Sequence, residues 1–242
     1  MRSFGFTSFR SGSSLRSGRF TIVTTRVYLI RHASTQAAAE DRFSGARNIA
    51  LSDEGRWQAE RLARRLATFP PSAIYCSPMD RTVETATIIG TPHSIKPQTR
   101  EGLREIDHGH WEGLTRHEVK EKYPEEIAAW DDDPFGYAPT GGETGMAVLA
   151  RAVPVVRQIV AAHPNESVYI ISHKATNRLI IGHYLGIELR GYRDRLDQQP
   201  ACLNILDFRD TGRARLMLLN DISHYEDQPE NEHVHLSGWW SK

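Results

Sequence analysis

The first ordered pattern in the chain is the short apolar run Val27–Ile30 (VYLI). It is too brief for a helix and is bounded by polar residues, which predicts a buried strand. Ser52–Phe69 follows with helical periodicity: Ser52 suits the cap, Asp53 and Glu54 suit the first turn, and Ala59, Leu62, Ala63 and Leu66 share one face. Ala73–Cys76 (AIYC) predicts a second strand, ended by Ser77–Pro78, with a helix over roughly 80–89 after it and a weak strand around 95–99. Past Pro139-Thr140-Gly141-Gly142, Met146, Leu149, Val153, Val156 and Val160 step by three and four, predicting a long helix that contains Pro154. Val168–Ser172 reads as a third clear strand, Ala175–Leu185 as a helix, and Cys202–Phe208 with Ala214–Leu219 as a closing hairpin.

Strands alternating with helices imply a mostly parallel sheet covered on both faces. The expected fold is therefore α/β, a three-layer α/β/α sandwich in which the final hairpin makes one edge antiparallel. A single domain is expected over 26–225, with a small helical cap inserted at about 106–140. The cap stretch is acidic: within 106–139, nine acids (Asp107, Glu112, Glu118, Glu121, Glu125, Glu126, Asp131, Asp132, Asp133) face three bases (Arg116, Lys120, Lys122).

Composition narrows the partners. The 242-residue chain has 30 Lys plus Arg against 30 Asp plus Glu, which gives no electrostatic reason to expect nucleic acid or an anionic membrane. No apolar run in the sequence approaches the length that spans a bilayer. Cys76 and Cys202 both fall in apolar runs and read as small buried hydrophobes. Residues 1–25 are rich in arginine and serine, and the first acid of the chain is Glu40. Such a leader resembles an organelle transit peptide, but it lacks a clear amphipathic helix, which favours an extension without a fold. The expected location is cytoplasmic, or an organelle matrix or stroma if the leader is a transit peptide. Residues 226–242 read as a polar tail carrying His233, His235 and the pair Trp239–Trp240.

In an open α/β sheet, ligands bind beyond the carboxyl ends of the strands, where helix N-termini suit an anion. Three strand-to-helix junctions each bring a cationic or potentially cationic residue to that end: Arg31 and His32, then Arg81 after Ser77–Pro78, then His173 and Lys174. Each alone is unremarkable as a surface or structural residue. Together they predict a phosphate pocket, since guanidinium groups grip phosphate oxygens in pairs and a neutral imidazole, of ordinary pKa about 6.5, is a competent nucleophile. Asp107, His108 and His110 have the spacing of a loop metal-ligand set, but no further Cys/His pair lies near in sequence, so the two histidines are expected at the surface.

The motifs at these positions resemble those of the histidine phosphatases, the superfamily that also contains the cofactor-dependent phosphoglycerate mutases. They run in order over 26–224: Leu29-Ile30-Arg31-His32, Phe43-Ser44-Gly45, Leu51-Ser52-Asp53-Glu54-Gly55 with Gln58-Ala59, Ser77-Pro78-Met79-Asp80-Arg81-Thr82 with Thr85-Ala86, Leu103-Arg104-Glu105-Ile106 with Gly109 and Trp111-Glu112-Gly113, Gly141-Gly142-Glu143-Thr144, and Ser172-His173. The resemblance implies that His32 attacks phosphorus, that Arg31, Arg81 and His173 hold the oxygens, and that Glu105 protonates the leaving oxygen and then activates water. Asp107 is the rival for that last role. No metal or other cofactor is implied.

Three positions depart from the pattern. Ala33 replaces the usual glycine after the nucleophile, which a negative φ would tolerate. Lys174 follows the second histidine, where it reaches the substrate or points to solvent. Ala38 replaces an asparagine, and Thr35 and Ser44 are candidates to supply the missing contact. Thr35, Ser44, Gly45 and Lys174 thus join Arg31 and Arg81 as expected substrate-binding residues. The acidic 106–139 stretch and the lack of a long basic insertion favour a hydrolase over a mutase, and weigh against highly anionic ligands. A phosphoglycerate mutase-type transferase and a weakly catalytic phosphate-binding scaffold are the alternatives. The expected partner is a small-molecule phosphate ester, with no nucleic acid and no membrane; a homodimer is compatible with the chain.

Overall fold

In a computed structural model, residues 24–36 and 42–226 are described. The arginine- and serine-rich leader up to residue 23, the position of Ala38, and the tail histidines and tryptophans lie outside them. Six strands form one sheet: β1 (Thr25–Arg31), β2 (Ala73–Cys76), β3 (Gln98–Thr99), β4 (Ser167–Ser172), β5 (Leu203–Asp210) and β6 (Arg213–Asp221), in the order β3-β2-β4-β1-β5-β6. The first four run parallel, and the hairpin makes the other edge antiparallel, with β5 running against β1. The weak strand expected at 95–99 contracts to the two-residue edge β3.

Alternation along β1 explains the layering. Val27 and Leu29 point to one face and Tyr28 and Ile30 to the other. On the second face, α1 (Asp53–Leu66) and α2 (Asp80–Gly90) contribute Leu62, Leu66, Ala86 and Ile89. On the first, α5 (Gly145–Ala162) and α6 (Lys174–Leu185) contribute Ala152, Val156, Ile159, Ile180 and Ile181. Burying each of the leucines, isoleucines and the valine stabilises by roughly 1.5–3 kcal/mol before ordering entropy is subtracted. Both cysteines are buried and unpaired with one another.

The cap read from sequence is present: Ser52 Oγ accepts from Gly55 N at 3.0 Å. The structure adds another at Thr144, which starts α5 by accepting from Ala147 N at 3.0 Å. The buried face of α5 keeps Val153, Val156 and Val160 of the expected stripe but not Met146, which is 58% exposed; Val148, Ala152 and Ile159 complete it. The strict three-and-four count began one residue group too early, in the first turn, where the helix has not yet reached the sheet. This helix is also long and apolar enough to cross a membrane by composition, with a mean hydropathy of 1.4, contrary to the sequence expectation. Its apolar stripe packs on the sheet in the main core.

The cap comprises α3 (Arg116–Lys122) and α4 (Pro124–Asp132). Thr115 and Glu118 form a reciprocal capping box at the start of α3. Trp111, Val119, Ile127 and Trp130 make a separate small core with Phe43, Leu114, Tyr123 and Tyr137, so the cap is anchored through its own aromatics.

Candidate active site

The sheet order places β1, β4 and β2 side by side, so the three predicted junctions are neighbours in space. The ladder continues one step past the strands: His32 N donates to Ser172 O at 2.9 Å and Ser77 N to Ile171 O at 3.0 Å. A cleft of about 450 Å³ opens over these ends. Arg31, His32, Thr35, Ser44, Gly45, Arg81, Glu105 and Lys174 all line it, whereas His173 does not.

His32 is oriented by its own turn. Its Nδ1 lies 2.8 Å from Ala33 O. A carbonyl only accepts, so Nδ1 carries the proton and Nε2 keeps the lone pair. The tautomer needed for attack through Nε2 is therefore set by the backbone. Ala33 fits without strain: it is absent from the positive-φ residues, its N donates to Thr85 Oγ1 at 3.2 Å, and its methyl packs among Leu51, Ala59 and Ala201.

Arg81 is fixed by three acceptors: Gly45 O at 2.8 Å, Arg47 O at 2.7 Å and His173 Nδ1 at 3.3 Å. The His173 Nε2–H then donates to Ser77 Oγ at 2.8 Å. His173 is wholly buried, its ring centroid 5.2 Å from that of His32. It is buried beside His32 and helps orient Arg81. Ser77, which in the sequence marks only the end of the second strand, completes this relay. Gly45 brings its carbonyl to Arg81 by close approach: a Cβ there would sit 1.9 Å from Ile106 O.

Arg31 donates to Gln198 O at 2.6 Å, and its Nε is buried with no partner. Gln198 is pinned in turn by Asn204, which also bonds Leu29 O at 2.9 Å. Burial pushes the pKa of both Arg31 and Arg81 down, which an anion in the cleft would reverse.

Glu105 sits against the start of α6. Its Oε1 accepts from Ile106 N and Thr176 N, and its Oε2 from Ala175 N, all at 3.0–3.1 Å, while the Thr176 hydroxyl donates to Arg104 O at 2.7 Å. The backbone behind it is clamped by Arg151, which donates to the carbonyls of Gly102, Arg104 and Glu105 and pairs with Glu143. The rival carboxylate, Asp107, accepts from Gly109 N at 2.7 Å and lines a second cleft behind Glu105, away from His32.

Two sequence expectations are corrected here. His108 is not a surface histidine: it lines the cleft against Phe43 and Trp130, with ring centroids 4.8 and 5.8 Å away, while His110 stacks on Tyr123 at the surface. The acidic cap does not make an acidic cleft. Asp131 pairs with Arg116 and with Arg193, and Asp132 pairs with Arg190. Besides Arg31, Arg81 and Lys174, the cleft is lined by Arg42, Arg116, Arg178 and Arg193, and Glu105 is its sole lining carboxylate among the described residues. The cap's charge therefore carries no weight against anionic ligands. Among the described residues, no group of three or more His, Cys, Asp or Glu gathers to hold a metal.

The buried imidazoles make stability pH-dependent. Burial first, then Arg31 and Arg81, hold His32 well below its ordinary 6.5; burial, then Arg81, does the same to His173. Burial pushes His108 and His224 down to about 4. The unfolded chain takes up these protons as pH falls below about 6.5, and the folded chain does not. Stability is thus complete above 6.5 and is lost as pH drops toward the folded values. The melting temperature is expected to be lower at pH 5 than at pH 7.5; a flat or rising trend over that interval contradicts this reading.

The chain is similar to known proteins over most of its length. Residues 27–222 match the Histidine phosphatase superfamily (branch 1). Phosphoserine phosphatase 1 of Hydrogenobacter thermophilus is 32% identical over 164 residues, spanning 68% of this chain and 78% of that protein. Glucosyl-3-phosphoglycerate phosphatase of Mycolicibacterium vanbaalenii is 32% identical over 222 residues, spanning 81% and 98%. The solved structure of Bacillus stearothermophilus YhfR superposes with a TM-score of 0.78 at 32% identity, over 83% of this chain and 98% of that one. The chain belongs to the histidine phosphatase superfamily, branch 1, and is an enzyme of the phosphomonoesterase type.

Proposed function

We propose that this enzyme hydrolyses a small soluble phosphate monoester in two steps through a phosphohistidine at His32. The observation that carries the proposal is the Nε2 lone pair of His32, left free by the Nδ1 contact to Ala33 O and set in a cleft beside Arg31, Arg81 and Glu105. In the first step His32 Nε2 attacks phosphorus and the ester P–O bond breaks, with the leaving oxygen taking a proton at Glu105. In the second, water attacks the phosphohistidine, gives its proton to Glu105, and releases phosphate and neutral His32. Arg31 and Arg81 stabilise the charge on the phosphoryl oxygens in a partly water-free site. The names of the two phosphatase relatives, which specify small phosphorylated metabolites, support hydrolysis over transfer.

Glu105→Gln tests the assignment through leaving-group dependence. An alkoxide leaving group needs the proton, and a nitrophenolate hardly does. We expect the burst rate, which reports transfer of the phosphoryl group to His32, to fall by about a hundredfold on an alkyl phosphate and far less on p-nitrophenyl phosphate. Equal losses on both would remove Glu105 from the acid role. A panel of phosphomonoesters assayed for released phosphate without added metal tests the activity itself. Turnover restricted to isomerisation of a phosphoglycerate in the presence of its bisphosphate would point to the mutase instead.

A further inference from the structure

Glu105 sits in a stretch without regular structure, just past the short turn Glu101–Leu103. Backbone of this kind has no ladder to satisfy its carbonyls, so side chains must do it. From 102 to 105 every carbonyl is met. Arg151 donates to Gly102 O, Arg104 O and Glu105 O at 2.8–3.0 Å, and Ser172 Oγ donates to Leu103 O at 2.8 Å. Three of these four carbonyls thus share one guanidinium.

That guanidinium is itself fixed by Glu143, whose two carboxylate oxygens accept from it at 2.9 and 2.8 Å. Glu143 also grips the chain beyond Glu105: its Oε2 accepts from Asp107 N at 3.2 Å, and its own N donates to Asp107 O at 2.8 Å. Glu143 precedes the Thr144 cap and Arg151 lies about two turns into α5, so both ride on one helix. The helix comes this near because residue 102 is glycine: a Cβ there would lie 2.5 Å from Arg151 O. Apolar packing does not duplicate the clamp. Leu103 and Ile106 are buried in separate clusters on either side, while Glu105 borders the second cleft, of about 510 Å³, together with Arg104 and Asp107.

We infer that Arg151 and Glu143 are positioning residues for Glu105, holding its main chain so that the carboxylate stands within reach of the leaving oxygen. Neither lines the cleft that holds His32, so they act only through Glu105. The N-terminus of α6 orients the carboxylate and α5 fixes the backbone behind it, so the group is held at both ends. Proton transfer needs hydrogen-bond reach, and a misplacement of about 1 Å costs on the order of a hundredfold. This inference rests on the phosphatase reading above and on Glu105 as its acid.

A clamp that serves the proton leaves a signature that general weakening of the fold does not. The test measures kcat/KM, which reports steps up to departure of the alcohol, for the full-length protein on two esters of similar shape. Benzyl phosphate has an alkoxide leaving group that needs the proton, and p-nitrophenyl phosphate hardly does. Arg151→Ala is expected to lower the benzyl-to-nitrophenyl ratio by about tenfold, in the same direction as Glu105→Gln and by less. Added to Glu105→Gln, it should leave the ratio where that single change puts it, because both act through one group. Glu143→Gln breaks the charge pair but keeps an oxygen for Asp107 N; it should lower the ratio severalfold, and it carries the test if the Arg151 variant does not fold. A ratio unchanged from wild type in the variants that fold, or a further fall of the ratio in the double variant, would overturn the positioning role. Equal losses on both esters in Glu105→Gln would instead remove the acid assignment and this inference with it, and absence of wild-type turnover on either ester would remove the phosphatase reading beneath both.

Discussion

Replacing His32 with alanine is expected to reduce phosphate release by about ten-thousand-fold or more in kcat, on every phosphomonoester the wild type hydrolyses. The effect should be this large because no other nucleophile shares the position. His173 is the other imidazole nearby, but it is wholly buried, with Nδ1 accepting from Arg81 and Nε2 donating to Ser77. Glu105 is committed to the start of α6. Steady-state release of inorganic phosphate measures the loss directly. Undiminished hydrolysis by a folded His32→Ala protein would end the proposed mechanism, because water would then be attacking the ester without covalent help.

The second large effect is expected at Arg81. Arg81→Ala should lower kcat/KM by about a thousandfold, and Arg81→Lys should recover little of it. The guanidinium does two jobs at once: it supplies positive charge to the cleft, and it ties the 45–47 loop to His173 through three separate bonds. An ammonium group keeps the charge but cannot span Gly45 O, Arg47 O and His173 Nδ1 in one plane. Losing those bonds frees the loop that carries Ser44 and Gly45 at the rim, so KM should rise together with the fall in kcat. A lysine variant with near wild-type kcat/KM would show that charge alone suffices and that the three-bond anchor is incidental.

Much of this site was legible in the sequence for a specific reason. The strands β1, β2 and β4 are short, continuous apolar runs, and each ends abruptly in a polar residue: Arg31, Ser77 and His173. Parallel βα order then forces those ends to one side of the sheet, and the order β2-β4-β1 makes them adjacent. Local signals also sufficed for Ser52 as a cap, because a cap is settled within four residues.

The unread parts depend on contacts between distant segments. The exposed side of Met146 was hidden because α5 starts before it meets the sheet, so periodicity alone assigns the stripe a turn too early. His108 gains its place only from Phe43 and Trp130, which no spacing rule links to it. The charge of the cleft was misjudged for a related reason. Counting acids along 106–139 ignores that Asp131 is cancelled by Arg193, which comes from α7 (Tyr192–Arg195) far along the chain. Arg178 was missed because α6 buries residues on several sides, and an arginine two turns into such a helix gives no linear sign that it reaches a cleft.

The most direct test of the account is to trap the intermediate. The wild-type protein is mixed with a radiolabelled phosphomonoester, quenched in denaturant within the first turnover, and digested. The account predicts an acid-labile, alkali-stable label on the peptide that carries residue 32, which is absent from the His32→Ala protein. Turnover without any protein-bound label, or a label attached to a different residue, would contradict it.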